Sequence, residues 1–196
     1  MRDPASMADW GRAAALSAAL ALGAAAALHA MGRPLICTCG VVELWHGTVN
    51  DAGNSQHLSD WYSLTHILHG VLFYAILWLA SHYGWVRWAI PARLVCAVAL
   101  EGLWEVAENT NAVIERYRSV TIDQGYFGDS IVNSLSDISM MVVGFLLASR
   151  LSVRASALLF VTLEVVAFAA IRDTLTLNIL MLVYPLDSIR QWQAGA

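Results

Sequence analysis

Residues 131–171 read IVNSLSDISMMVVGFLLASRLSVRASALLFVTLEVVAFAAI. This stretch contains two apolar runs, residues 131–149 and 153–171, and the short turn between them is marked by Arg150 and Arg154. Each run approaches the roughly 20 apolar residues that a helix needs to cross a bilayer. Because the turn is so short, we expect two antiparallel membrane helices here, and the rest of the chain repeats the pattern.

Three further apolar runs come earlier, at residues 13–30, 61–81 and 88–107. The sequence therefore predicts an all-α, polytopic membrane bundle of five transmembrane helices. A sixth apolar stretch, residues 175–184, is too short to span and is expected to be a re-entrant or interfacial helix. The first run, which follows Arg2 and Arg12, resembles a signal peptide, but no clean A-x-A cleavage site follows it. We expect it to be retained as a helix.

The composition agrees with a single integral membrane domain over residues 1–196, because 58% of the residues are hydrophobic and only 13% are charged. A soluble domain has about 25% charged residues. All 11 basic residues are arginine, and the lack of lysine excludes a lysine Schiff base and a phosphate-loop lysine. The net charge of −4 and the lack of a basic cluster argue against nucleic-acid binding.

The arginine distribution favours an inner-membrane protein with its N-terminus inside, since six arginines then lie inside and five outside. The short turn between Arg150 and Arg154 supports this orientation, which places residues 31–60 and 109–130 on the periplasmic side. The first of these loops contains Cys37 and Cys39. They could form a disulfide in a small ring, or contribute with His46 to a copper or zinc site.

Two histidines lie near the start of the second run. Tyr62, His66 and His69 have i, i+4, i+7 spacing and share one helix face. Two histidines three residues apart could hold one divalent metal ion such as zinc, which binds imidazole nitrogens and usually needs a third protein ligand. Alternatively, each ring is simply a hydrogen-bonded polar group at the membrane interface.

Three glutamates lie near the end of the third run. Glu101, Glu105 and Glu108 repeat the i, i+4, i+7 spacing, and three carboxylates on one face repel each other in a low dielectric. Some of them must therefore be protonated, paired with histidine or arginine, or bound to a cation. Glu101 is the deepest, whereas Glu108 near the interface could be solvated.

A third polar group begins the fourth run, where Asp129, Asn133 and Asp137 have i, i+4, i+8 spacing. Asp129 is suited to capping this helix, but Asp137 lies two turns deeper. If successive runs are antiparallel helices, these three polar groups lie on the same side of the membrane. The histidines are at the start of the second run, the glutamates at the end of the third, and the Asp129 group at the start of the fourth. Charged groups within the membrane are costly and usually functional, so this convergence predicts a site near the periplasmic face.

Two arginines are expected in the loop between the acid-bearing helices, within reach of this site. Arg116 and Arg118 could clamp a phosphate or carboxylate bidentately, or form ordinary ion pairs at the membrane surface. Glu164 is the exception to the convergence, because it lies in the middle of the last run without an obvious partner.

These patterns predict a protein that binds the polar or anionic headgroup of a lipid or envelope precursor, and leave open a metal-assisted hydrolase or transferase activity. The predicted roles are metal ligation by His66, His69 and Asp129, catalysis by Glu105, Asp137 and Glu101, and substrate binding by Tyr62, Asn133, Arg116 and Arg118. Two alternatives are a non-enzymatic accessory protein with a structural polar network, and an ion- or proton-coupled transporter, against which the lack of an inverted repeat argues.

Several strings resemble an uncharacterised family of alphaproteobacterial multi-pass inner-membrane proteins. They are residues 33–40 (RPLICTCG), 54–62 (NSQHLSDWY), 101–109 (EGLWEVAEN), 128–134 (GDSIVNS) and 184–187 (YPLD). The resemblance covers most of the chain and implies the same membrane location, but it carries no activity.

A more distant likeness is to the VanZ/YjdF-like group of small membrane proteins. Its pattern is an acid before a helix with His and Gly, then an acidic helix, then D-x-x-x-N before a glycine-containing helix. The matching residues here are Asp60, His66, His69 and Gly70, then Glu101 and Glu105, then Asp129, Asn133 and Gly144. The likeness implies a role at the cell envelope, where VanZ-like proteins are associated with glycopeptide resistance. This chain departs from the pattern, with Trp61 where a lysine often stands and with the added Cys37/Cys39 loop.

Overall fold

The computed structural model describes residues 6–121 and 125–194, and within these ranges the chain forms eight α-helices and no strand. The predicted all-α class is confirmed. The helices are α1 (Met7–Ala30), α2 (Ser63–His82), α3 (Ile90–Glu108), α4 (Asn111–Val120), α5 (Ile131–Arg150), α6 (Val153–Ile171), α7 (Leu175–Val183) and α8 (Asp187–Gln193). Arg2, which entered the orientation argument, lies outside the described residues.

Four helices, α1, α2, α5 and α6, are long and apolar enough to cross a membrane. Helix α3 has 19 residues but carries four charged side chains, those of Arg93, Glu101, Glu105 and Glu108. Length and composition therefore establish four candidate spans among the described residues rather than the five that the sequence predicted.

Serine and threonine caps begin most of the later helices. Ser130 Oγ accepts a hydrogen bond from the Asn133 amide at the start of α5, and Ser152 Oγ accepts one from the Ala155 amide at the start of α6. Thr110 and Thr174 cap α4 and α7 in the same way. Such side chains satisfy amides that have no partner within the helix. Arg116 and Arg118, which were predicted to lie in a loop, therefore lie on α4, a helix that Thr110 caps.

Helices α2 and α5 form the closest pair in the bundle, because each contributes a glycine at their crossing. A Cβ atom on Gly70 would overlap the Met141 carbonyl oxygen, and one on Gly144 would overlap the Ile67 carbonyl oxygen. Small residues allow such close backbone approach between membrane helices. Met141 and Phe145 next to this crossing are fully buried. Helix α3 packs against α2 and α5 on one side and α1 on the other.

Glu164 has a structural partner that the sequence did not reveal. Its carboxylate oxygens accept hydrogen bonds from the amides of Leu175, at 3.0 Å, and Thr176, at 3.4 Å. These amides belong to the first turn of α7, where a negative charge also favours the helix dipole. Glu164 therefore anchors the start of the short helix α7 to the middle of α6.

Candidate functional site

The two histidines of α2 share one carboxylate from α3. His66 Nδ1 lies 2.6 Å from Glu101 Oε1, and His69 Nδ1 lies 3.1 Å from each Glu101 oxygen. An ionised carboxylate only accepts hydrogen bonds, so both rings donate from Nδ1 and both orientations are fixed. Glu101 is fully buried, and it connects α2 to α3 at the depth of the two rings.

Glu105 lies one turn further along α3 in a different environment. It is 0% exposed, and neither of its carboxylate oxygens has a hydrogen-bond partner among the described residues. Its nearest basic atom is His66 Nδ1, at 3.5 Å from Glu105 Oε1. A buried polar group without a partner is costly, and a charged one is more so.

The geometry of these residues allows a metal ion in two overlapping positions. One ligand atom from each of His66, Glu105 and Glu108 lies within 4.8 Å of the others, and the same holds for His66, His69 and Glu101. Zinc binds imidazole and carboxylate atoms at about 2.0–2.2 Å, so ligand atoms must approach within about 4 Å of each other. Both Glu101 oxygens already accept hydrogen bonds from the rings, whereas neither Glu105 oxygen has a partner among the described residues, so the first group is the better candidate.

Asp137 completes the centre from α5. Its Oδ2 lies 3.8 Å from His66 Nε2, and its Oδ1 accepts a hydrogen bond from Ser63 Oγ at 3.1 Å. The Ser63 hydroxyl in turn accepts from the Asp60 amide at 3.1 Å. Asp60 precedes α2 and accepts a hydrogen bond from the Tyr62 amide at 2.8 Å. Burial raises the pKa of Asp60, and hydrogen bonds from the Tyr62 and Ser55 amides oppose this rise.

Asp129, predicted as a metal ligand, lies in a closed hydrogen-bond network. Asn109 donates from Nδ2 to Asp129 Oδ2 at 2.6 Å and accepts from the Asp129 amide at 2.8 Å. Tyr126 donates its hydroxyl to Asp129 Oδ1 at 2.9 Å. Burial raises the pKa of Asp129, whereas the hydrogen bonds from Asn109 and Tyr126 lower it. Both carboxylate oxygens thus have partners, which is typical of a structural role.

A cavity of about 500 Å³ opens beside this centre. Its polar end includes His66, His69, Glu108, Asp129 and Asp137. The remaining wall is largely leucine, isoleucine and aromatic side chains from α2, α3 and α7. Ligand sites are commonly apolar cavities of about 300–1,000 Å³ with a few convergent polar groups, and this cavity has that form.

The four residues predicted to bind substrate are engaged elsewhere or lie outside the centre. Tyr62 lines the cavity and donates its hydroxyl to Asp173 Oδ2 at 3.1 Å. Asn133 donates to the His57 carbonyl at 3.0 Å, while Arg116 donates from Nε and Nη2 to the Leu182 carbonyl at the end of α7. Arg118 is exposed on α4.

Asp173, which follows the end of α6, connects several short helices by hydrogen bonds. Its carboxylate accepts hydrogen bonds from the Thr174 amide and from the side chains of Tyr62, Asn178 and Gln193. Burial raises the pKa of Asp173 to about 6, against the opposing effect of these hydrogen bonds. Its side-chain partners are the N-cap residue of α2 and residues of α7 and α8, so no local spacing could have indicated it.

The cysteine loop forms a separate polar cluster. Cys37 and Cys39 are joined by a disulfide, which was one of the two predicted alternatives, and His57 is the ring nearest to them. His46 instead lies between the Glu43 and Asp51 carboxylates, at 3.0 and 2.9 Å. Burial lowers the pKa of His46, but the hydrogen bonds to both carboxylates outweigh it and raise the pKa.

Comparison with known proteins gives relatives over almost the whole chain. The model of a family described as a protein of unknown function, DUF2585, matches residues 28–195. The chain is 53% identical over 167 residues to a UPF0314 protein of Sinorhizobium fredii, covering 85% of this chain and 83% of that protein. It is 49% identical over 195 residues to a UPF0314 protein of Sphingopyxis alaskensis, covering 97% of each. No solved structure matches the chain.

Proposed function

We propose that this chain, which belongs to the DUF2585 family of proteins of unknown function, holds a divalent metal ion and uses it to bind the anionic headgroup of an envelope lipid. The membership confirms the predicted uncharacterised alphaproteobacterial family. The VanZ-like resemblance has no support among these matches and stays a prediction. The proposed ligands are His66, Glu105 and Glu108, and zinc suits this set of imidazole and carboxylate donors.

The observation that carries this proposal is the unpartnered carboxylate of Glu105. It is completely buried, neither oxygen accepts a hydrogen bond from the described residues, and Glu108 and His66 lie beside it. A cation bound by the three side chains would give the Glu105 carboxylate a partner and offset the repulsion between the two acids. The same cation would present a positive charge to the cavity, whose described lining contains no arginine.

We further propose that α3 is the fifth membrane crossing and that the centre lies near the periplasmic face of the inner membrane. The four charged side chains of α3 support this, because all are buried: Arg93, Glu101, Glu105 and Glu108 are 1%, 0%, 0% and 8% exposed. Charged residues within membrane helices face the bundle interior in this way. The outward surface of α3 is apolar, with Leu100 and Leu103 exposed.

An enzymatic version of this function is a metal-assisted lipid hydrolase or transferase. The metal would polarise a phosphoryl or ester oxygen of the headgroup. Asp137 lines the cavity beside His66 and is placed to act as the general base, with Ser63 fixing its orientation. Glu101 is a positioning residue, because its hydrogen bonds orient both histidines and it lies behind them.

The second candidate function is a non-catalytic accessory protein whose polar residues fix helix packing. The closed network of Asp129, Asn109 and Tyr126 favours it, since these side chains satisfy each other without a ligand. Under this alternative, Glu105 would be protonated and no metal would bind.

Thermal unfolding of the full chain in detergent, with and without a chelator, separates the two functions. We expect the chelator to lower the melting temperature of zinc-loaded wild type, because a ligand at 100 times its dissociation constant stabilises by about 2.7 kcal/mol. For a chain of this size that corresponds to about 5–10 °C. Glu105→Gln should be insensitive to the chelator and at least as stable as chelator-treated wild type, since it removes an unpartnered buried acid.

Glu115→Gln is the matched control, because Glu115 is an exposed glutamate on α4 outside the centre. It should respond to the chelator as wild type does. If neither zinc nor chelator changes the melting temperature of wild type, the metal centre is contradicted and the structural polar network is supported.

A further inference from the structure

The cavity has a polar part and an apolar part. The acids and histidines form the polar part, and the apolar part is a wall of Leu72, Phe73 and Ile76, which follow the histidines along α2, with Leu100 and Leu103 of α3 and Ile179 of α7. A site for a small, soluble anion needs no apolar wall of this extent. The wall is therefore suited to an apolar portion of a ligand.

The rim of the cavity is also apolar. Four residues that line it reach the molecular surface: Ile76, Leu100, Leu103 and Ile179 are 58%, 43%, 68% and 51% exposed. A mouth that faced water would expose these side chains at a considerable cost. Ile76 and Leu100 belong to long helices, one of which is a candidate membrane span, so the opening between α2 and α3 is suited to face lipid.

The depth of the apolar wall corresponds to one leaflet. Ile76 lies ten residues after His66 on the same helix, which is about 15 Å at the rise of an α-helix. The hydrocarbon core of a bilayer is about 30 Å thick. With the polar centre at the edge of that core, as proposed above, the wall would extend to about the middle of the membrane.

We propose that the apolar half of the cavity holds the hydrocarbon chain of a lipid that enters sideways between α2 and α3 from one leaflet. The headgroup of that lipid then reaches the centre at His66 and Glu108. This inference rests on the proposed function for its polar end and names the ligand class, a membrane lipid with an oxygen-rich anionic headgroup. A free phosphate ester shares the headgroup chemistry but would leave the apolar wall without an occupant.

Photo-crosslinking tests this inference directly. The zinc-loaded full chain is reconstituted into phosphatidylglycerol vesicles that contain phosphatidylglycerol with a diazirine on one acyl chain, and labelled peptides are mapped by mass spectrometry. We expect strong labelling of the cavity-lining parts of α2, α3 and α7. Leu103→Trp, which fills the mouth, should reduce the labelling of α2 several-fold.

Leu158→Trp is the matched control, because Leu158 on α6 is also 68% exposed but does not contribute to the cavity. It should leave the labelling of α2 unchanged. Equal labelling of α2 in the two variants would overturn the inference, because it would mean that the probe reports only surrounding lipid.

Water-soluble glycerol phosphate distinguishes a lipid from a free ester in a second experiment. If it raises the melting temperature of the zinc-loaded protein in detergent as much as phosphatidylglycerol does, the ligand is the free ester.

Zinc retention is measured on the same samples. If the wild-type protein retains no zinc but its labelling is still reduced by Leu103→Trp, the metal centre is contradicted. The proposal that the cavity holds a lipid chain is then still supported. If the protein retains zinc but Leu103→Trp leaves the labelling of α2 unchanged, the lipid-chain proposal is contradicted. The metal centre is then still supported.

Discussion

Glu101 and Glu105 lie one turn apart on α3 and are equally buried, yet their surroundings differ completely. Glu101 accepts hydrogen bonds from two imidazole rings, whereas Glu105 accepts none from the described residues. The i, i+4 spacing predicts that the two acids share a face, and it says nothing about which of them meets the histidines. The sequence could therefore predict the cluster of acids and rings, but not that Glu101 orients the rings while Glu105 lacks a partner.

Asp173 gives a pH-dependent prediction at the scale of a single residue. Burial raises its pKa from the ordinary aspartate value of 3.8 to about 6 in the folded chain, so the folded state binds the proton more tightly than the unfolded state does. Stability should rise as the pH falls from above 6 to below 4, by up to about 3 kcal/mol for this group. We expect Asp173→Asn to lose this part of the pH dependence.

The measurement is the melting temperature of wild type and Asp173→Asn in detergent between pH 7 and pH 4. Contributions from the other acids cancel in the difference, which should grow in favour of wild type as the pH falls. A difference that stays constant over this range would show that Asp173 is already ionised throughout, as its four hydrogen-bond donors favour.

Among the helices, the pair α2 and α5 positions the centre, since α2 carries His66 and α5 carries Asp137. Their close crossing depends on Gly70 and Gly144, where added Cβ atoms would overlap backbone atoms of the opposite helix. We expect Gly70→Ala to separate the two helices and to cost about 1–3 kcal/mol of stability, as overpacking does. Thermal unfolding in detergent measures this loss.

Gly102→Ala is the control for this prediction. A Cβ on Gly102 would meet the Ala24 Cβ at 3.5 Å, an ordinary contact between α3 and α1, so the variant should be as stable as wild type or slightly more so. If Gly70→Ala proved as stable as Gly102→Ala, the close crossing of α2 and α5 would be wrong.

The sequence predicts the long helices well, because an apolar run of about 20 residues has few other structures available to it. It fails for α4, whose sequence NAVIERYRSV is too polar to be recognised as part of the bundle. It fails for Glu164 as well, since the partner of that carboxylate is the first turn of α7. Such contacts depend on where a helix is placed and not on spacing within it.

At the scale of the whole molecule, the bundle brings three polar groups from distant parts of the chain to one end of one cavity. Two of the helices that carry them, α2 and α5, are candidate membrane spans, and the third, α3, buries its charges between them. The antiparallel order of the apolar runs was enough to predict this convergence. The apolar wall of the cavity was not predictable, because part of it comes from α7, which the sequence marks only as a short apolar stretch.

The most direct test of the proposed metal centre is the zinc content of the purified full chain, measured by elemental analysis after zinc loading and desalting. His66→Ala should lose the zinc that wild type retains in stoichiometric amount. His82→Ala, at the opposite end of the same helix, should retain it. Equal zinc in His66→Ala and wild type, or none in any of the three proteins, would contradict the account.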